Sequence, residues 1–230
     1  MEGFRSWGRQ FSMAVDVETR DCAALSEADL DDMAAMGGSF GLTELTKAKE
    51  DWVLCTTARE GGKLHGFTFS TLERIGGTPC VLLGLLSVKR TSKRDQVLKG
   101  LMSEAYHRAL MAFPDEDVVV GSRFTSPDGL EAFKQLTELI PRPGHRAVGE
   151  ERAWGKRLAR RFGVDATYDE KTFVVAKKAR SGFLDHESSK PEKISADIRS
   201  LFDGVSDATA GVLIVHGWTM AEDLVKLGRR

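Results

Sequence analysis

Between the apolar run Val81–Val88 and the first apolar helix positions, the chain places Lys89, Arg90, Lys93 and Arg94 within six residues. Cations gathered in a turn that opens a helix make an anion site. The helix terminus presents backbone N–H groups and the positive end of its dipole, and the side chains add full charge. A phosphate or diphosphate suits that chemistry. A second reading of the same residues is a capped, solvated turn, with Ser92 as the N-cap and Asp95 three residues on closing a capping box.

The elements that must position these residues are legible in the pattern. Val81 to Val88 is nearly continuous apolar sequence interrupted by one glycine, as in a strand buried on both faces. From Arg94, the apolar residues Leu98, Leu101, Met102, Ala105, Ala109, Leu110 and Phe113 recur at three- and four-residue steps, which predicts one face of a long helix. Upstream, Ser26 and Asp29 predict a helix start that runs to Gly37-Gly38, and a second short helix covers Leu42 to Lys49. Met13 to Val17 reads as a short first strand. Trp52–Thr57 and Leu64–Leu72 read as strands joined by Gly61-Gly62, and Gly76-Gly77 turns the chain into the Val81–Val88 strand, which makes an antiparallel meander.

Downstream, Asp117–Phe124 reads as a strand returning parallel to Val81–Val88 after the long helix. Ser126-Pro127-Asp128 predicts a helix through Ile140, Pro141–Gly144 a rigid loop, Glu150–Phe162 a helix, and Lys171–Ala176 a strand. Residues 177–193 are polar and read as a linker. Beyond them the pattern predicts a helix at Ile194–Phe202, a strand at Gly211–Val215 and a helix at Met220–Leu227. That tail is too short for a core of its own and is expected to dock on the main sheet.

Composition narrows the function classes. With 41% hydrophobic and 29% charged residues over 230, the chain is ordinary globular sequence. A net charge of −1 gives no global attraction to nucleic acid or anionic membrane. Cys22, Cys55 and Cys80 are widely spaced, so neither a disulfide framework nor a zinc motif is expected. Cys55 and Cys80 read as small core residues. The five histidines show no ligand spacing, and no metal is expected. No apolar run approaches the ~18 residues a membrane span needs. The first residues lack the apolar core of a secretory leader, and a cytoplasmic protein is expected. The helix Glu151–Arg161 is locally basic around Trp154; it suits nucleic acid or an acidic partner, and equally a solvated amphipathic face.

Helix, antiparallel meander, basic turn, long helix, parallel strand, helix, strand: over residues 25–178 this order resembles the GNAT acyltransferase superfamily. In that family the fourth strand ends in a signature of Arg or Gln, two residues, Gly, any residue, Gly or Ala, then Leu three further on. Here Arg90 and Leu98 fit, while Lys93 and Asp95 stand where small residues are usual. Glycine there lets the backbone approach a phosphate closely. The resemblance implies an α/β (α+β) fold, a mixed, mostly antiparallel sheet flanked by helices. It places a GNAT-like domain at residues 1–178 and a C-terminal extension at 179–230.

The resemblance also implies acetyl-CoA or another acyl-CoA as co-substrate. Its diphosphate would lie on Arg90, Ser92, Lys93, Arg94, Asp95 and Gln96. Its pantetheine arm would pair with the backbone of Leu86, Ser87 and Val88 near a bulge in the fourth strand. The family's usual base on that strand has no counterpart in Cys80–Val88, and Phe133 stands where a tyrosine acid is usual; Glu73, His65, Ser87 and Arg123 lie within reach of the cleft the resemblance implies, and Glu73 is the catalytic candidate among them. The expected function is N-acyltransfer, acetyl to a small-molecule or peptide amine, with a homodimer compatible and no nucleic acid or membrane partner. The alternative is a GNAT-fold regulatory or interaction module that has lost CoA binding.

Overall fold

A computed structural model describes residues 15–136, 138–176, 184–185, 194–205 and 210–228. Its centre is an eight-stranded mixed sheet. The strands are β1 (Asp16–Asp21), β2 (Leu54–Glu60), β3 (Lys63–Ile75), β4 (Thr78–Val88), β5 (Val118–Phe124), β6 (Val174–Val175), β7 (Leu184–Asp185) and β8 (Val212–Thr219). Their order across the sheet is β1-β2-β3-β4-β5-β8-β6, with β7 paired to β4 off that path. The helices are α1 (Glu27–Ala34), α2 (Leu42–Asp51), α3 (Arg94–Ala112), α4 (Gly149–Arg161), α5 (Ala196–Ser200) and α6 (Ala221–Leu227). The mixed, mostly antiparallel sheet flanked by helices is the fold class expected from the sequence.

Local chemistry explains the first half. Ser26 caps α1: its Oγ accepts from Asp29 N, and the Asp29 carboxylate accepts from Ser26 N. Arg20 adds a 2.8 Å ion pair to the same carboxylate, which with the cap bonds holds Asp29 far below the usual carboxylate range. The β2–β3 hairpin turns through Gly61 and Gly62 at φ +55° and +79°, a two-residue turn that non-glycine residues resist.

The sheet divides the core into two layers. Val81, Leu83, Val118, Val120, Leu213 and Val215 face α3, and Leu82, Val119, Val212 and Ile214 face α1, α2 and α4. Among the described residues no helix is long and apolar enough to cross a membrane, and no cluster of His, Cys, Asp or Glu has the makings of a metal site.

Three expectations change. Residues 127–140 form a 3-10 helix at Pro127–Phe133 rather than a longer α-helix. Phe133 stacks edge-on against Phe124 at 5.2 Å, and Ile140 leaves to bridge His216, so their spacing serves two separate contacts. The strand at the C-terminal end, β8, lies inside the sheet, antiparallel to β5 over seven residue pairs and flanked by β6. The first strand starts at Asp16, later than Met13–Val17; residues 13 and 14 lie outside the described residues, as does all of the linker 177–193 except 184–185.

Candidate functional site

β4 is the strand on which the site is built. Thr68 stands opposite Leu86 and Ser70 opposite Leu83, so β4 carries one residue more than β3 across this stretch. That is a β-bulge at Gly84-Leu85. It resets the alternation: Val81 and Leu83 face α3 before it, Leu86 and Val88 after it, and Leu85 turns to the opposite layer. Thr68 Oγ1 donates to Leu85 O at 3.0 Å, satisfying a carbonyl the bulge displaces. Gly84 is required there, because a Cβ would lie 2.2 Å from Trp52 Cε2, and the indole rests on the bare backbone.

At the same level β4 and β5 part. They pair only from Cys80 with Val119 to Leu82 with Gly121. One step further, the Ser122 hydroxyl donates to Leu83 O at 2.8 Å, taking over from the main chain. Beyond that, the backbone of Leu86 and Ser87 turns to a different partner. It pairs in parallel with Leu184 and Asp185 of β7.

The basic turn follows directly. Its N-cap is Lys93, at φ −96° and ψ 0°, with no side-chain cap; Thr91 Oγ1 accepts from Lys93 N at 3.3 Å. The expected Ser92–Asp95 capping box is therefore absent, and Ser92 and Asp95 point to solvent. At negative φ, Lys93 makes this turn without left-handed backbone strain. Its ammonium is bonded to Glu60 at the end of β2, whose carboxylate is pulled below its ordinary pKa chiefly by that bond and further by His65, at 3.8 Å. Arg94 lies 3.7 Å from Asp95. Arg90 and Gln96 are exposed, and Leu98 is buried beneath the turn.

Two recesses flank the parting of β4 and β5. On the α3 face a cavity of about 320 Å³ lies between the start of α3 and the 3-10 helix, bordered by Gln96, Lys99, Met102, Lys134 and Gln135. On the other face, a recess of about 240 Å³ is bordered by Asp51, Trp52, Arg123, Arg161, Phe162 and Gly163.

Of the acid–base candidates, Ser87 lies on β4 beyond the bulge, Arg123 borders the second recess and His65 lies 3.8 Å from Glu60, but Glu73 is elsewhere. Glu73 stands opposite Cys80, at the far end of β4 from the bulge, and is gripped by Arg161 through two bonds of 2.6 and 3.0 Å. That fork commits both oxygens of the Glu73 carboxylate to Arg161. Phe133 is fully buried, and the Tyr106 hydroxyl is sealed in the core with its pKa driven up by burial. Burial also raises the Cys22 thiol to about 12 and the Cys80 thiol to about 11, so neither is a nucleophile. The chemistry left to the site is positioning: main-chain groups of a bulged strand, a helix terminus, and openings on both faces of the sheet.

Sequence reading missed Glu60, Ser122 and the Trp52–Gly84 contact. Only Gly84 left a local signal, as the single glycine in an otherwise apolar strand.

No protein-family model and no curated protein matches the chain. Among solved structures it is similar to aminoglycoside 6'-acetyltransferase type Ii, at 13% identity and TM-score 0.41 over 55% of this chain and 86% of that one. It is similar to the ribosomal-protein-S18-alanine N-acetyltransferase of Escherichia coli, at 9% identity and TM-score 0.40 over 59% and 86%. A third similarity is to a Bacillus subtilis acetyltransferase in complex with CoA, at 17% identity and TM-score 0.39 over 55% and 80%.

Proposed function

We propose that the chain is an acyl-CoA-dependent N-acyltransferase, moving an acetyl group to an amine. The observation that carries this reading is the end of β4: a bulge at Gly84-Leu85, a parting from β5 after Leu82, and a cationic turn at the head of α3. Such a strand offers main-chain groups of Leu86, Ser87 and Val88 to an extended amide-bearing arm, as a partner strand would. The turn 89–96 offers charge and helix-end N–H groups to a diphosphate. Lys99 and Lys134, together with Asp95, border the adjoining cavity, and in this reading the two lysines face further phosphate charge.

In this reading the amine nitrogen attacks the thioester carbonyl carbon, the C–S bond breaks, and the thiolate takes the proton the amine loses. With Glu73 committed to Arg161, holding both reactants in line supplies most of the rate, a contribution that reaches about 7–11 kcal/mol in well-oriented systems.

One observation favours a second reading. β7 pairs with the Leu86 and Ser87 backbone that an acyl-CoA arm would use. A chain that keeps its own strand there is a binding or regulatory module with the same fold. Hydrogen exchange separates the two. If acetyl-CoA takes the place of β7, the amides of residues 86–88 stay protected while those of 184–185 become fast. If the module reading holds, adding acetyl-CoA changes neither set.

A further inference from the structure

The pairing of Gly66 with Val88, and a 2.8 Å bond from Lys89 N to His65 O, bring the β2–β3 hairpin against the basic turn. Glu60 closes that hairpin opposite Lys63, so main-chain pairing delivers to the turn an acid 33 residues upstream of Lys93. Its carboxylate bonds the ammonium of Lys93, the residue that caps α3, and both side chains are half-buried. The geometry suits an exchange of partners. A lysine ammonium is a compact charge on a flexible stem with three rotatable donors, so it moves between acceptors without a change of backbone. Glu60 meets Lys93 through Oε1, while His65 Nε2 lies 3.8 Å from Oε2. A second partner for the carboxylate is therefore already beside it.

We propose that Glu60 is a built-in competitor for the phosphate that the turn binds: its carboxylate holds Lys93, an arriving diphosphate takes the ammonium from it, and Glu60 is left to His65. The identity of that ligand rests on the acyltransferase reading; the exchange is a property of the turn. Its effect is to set a threshold. A ligand that uses Lys93 binds with an affinity reduced to the fraction of time the lysine is off Glu60, and it also feels the like charge of the carboxylate. An anion that holds an ammonium no better than a carboxylate does gains nothing from Lys93. A diphosphate, with more charge and more acceptor oxygens, displaces the carboxylate.

The test uses the full chain, with inorganic pyrophosphate as the probe and calorimetry or phosphorus NMR as the readout. Wild type, Glu60→Gln, Lys93→Met and the double variant close a cycle, and thermal melts check that each is folded. Glu60→Gln is expected to tighten pyrophosphate at least about threefold, and Lys93→Met to weaken it. In the Lys93→Met background, Glu60→Gln is expected to change the affinity by less than about 1.5-fold, because no ammonium remains to be competed for. Equal affinity in wild type and Glu60→Gln overturns the proposal, as does weaker binding in Glu60→Gln. The same gain in both backgrounds removes Lys93 as the exchanged group and overturns it too. So does no binding of pyrophosphate to any of the four proteins at about ten millimolar. Acetyl-CoA, titrated into the same proteins, separates this claim from the reading of function. The expected cycle with pyrophosphate, together with no binding of acetyl-CoA, would sustain the exchange and sink the acyltransferase reading. Acetyl-CoA that binds wild type and Glu60→Gln alike would leave that reading standing and sink the exchange.

Discussion

Replacing Gly84 by alanine puts a methyl carbon 2.2 Å from Trp52 Cε2, 2.4 Å from Cζ2 and 2.7 Å from Cδ2. No real Cβ contact is that short, so the indole or the strand must move. The indole is confined: Trp52 is 7% exposed and its ring leans on Phe162 at 6.5 Å. The strand is confined by its pairing with β3 on both sides of the bulge. Overpacking a confined site costs about 1–3 kcal/mol, and an aromatic ring struck on several atoms belongs at the upper end, about 3 kcal/mol. For a chain of this length that is a fall in Tm of about 6–12 °C. Urea denaturation of wild type, Gly84→Ala, Trp52→Leu and the double variant closes a cycle. If the clash is with the indole, Gly84→Ala costs less than about 1 kcal/mol in the Trp52→Leu background, a coupling of about 2 kcal/mol. The same cost in both backgrounds would refute the contact and with it the reason given for a glycine at the bulge.

Other outcomes follow from single sites. His216 is 1% exposed, and burial pulls its pKa down to about 4, so the folded protein keeps it neutral while the unfolded chain protonates near 6.5. Stability from this group is present above the unfolded pKa and falls as pH drops toward 4; denaturation at pH 7 and 5 should show a loss of about 2 kcal/mol that largely vanishes in His216→Gln. The buried Tyr106 hydroxyl has no hydrogen-bond partner among the described residues, so Tyr106→Phe should leave stability unchanged or raise it, and a loss of more than about 1 kcal/mol would reveal a partner. Ser26→Ala removes the α1 cap and should cost about 1 kcal/mol in the same assay. Asp185→Pro deletes a main-chain donor from β7; if β7 competes with acyl-CoA for β4, the variant should bind acetyl-CoA more tightly than wild type, and unchanged affinity would remove β7 as a competitor.

Much of the frame was legible because its signals are local. The Ser26–Asp29 cap, the Gly61-Gly62 and Gly76-Gly77 turns, and the three- and four-residue steps of α3 each lie within a few residues of what they determine. The parallel pairing of β5 with β4 followed from one helix between two apolar strands. What was not legible depends on distant partners. Residues 127–140 have helix-like spacing, but Phe133 and Ile140 answer to Phe124 and His216 instead. The insertion of β8 between β5 and β6 joins segments about ninety residues apart in sequence, and nothing in Val212–Thr219 names its neighbours. At the basic turn, Ser92 and Asp95 have the spacing of a capping box, yet Lys93 takes the cap because its side chain is tied to Glu60, 33 residues upstream. Glu73 was legible as a lone acid near a strand end, but not its capture by Arg161.

The most direct test of the acyltransferase reading is a calorimetric titration of acetyl-CoA into the wild-type chain and into Arg90→Ala/Arg94→Ala. A dissociation constant of about micromolar order in the wild type, lost in the double variant, is the expected result and would make the turn after β4 a phosphate site. No heat of binding at about millimolar acetyl-CoA, or the same affinity in both proteins, would contradict it.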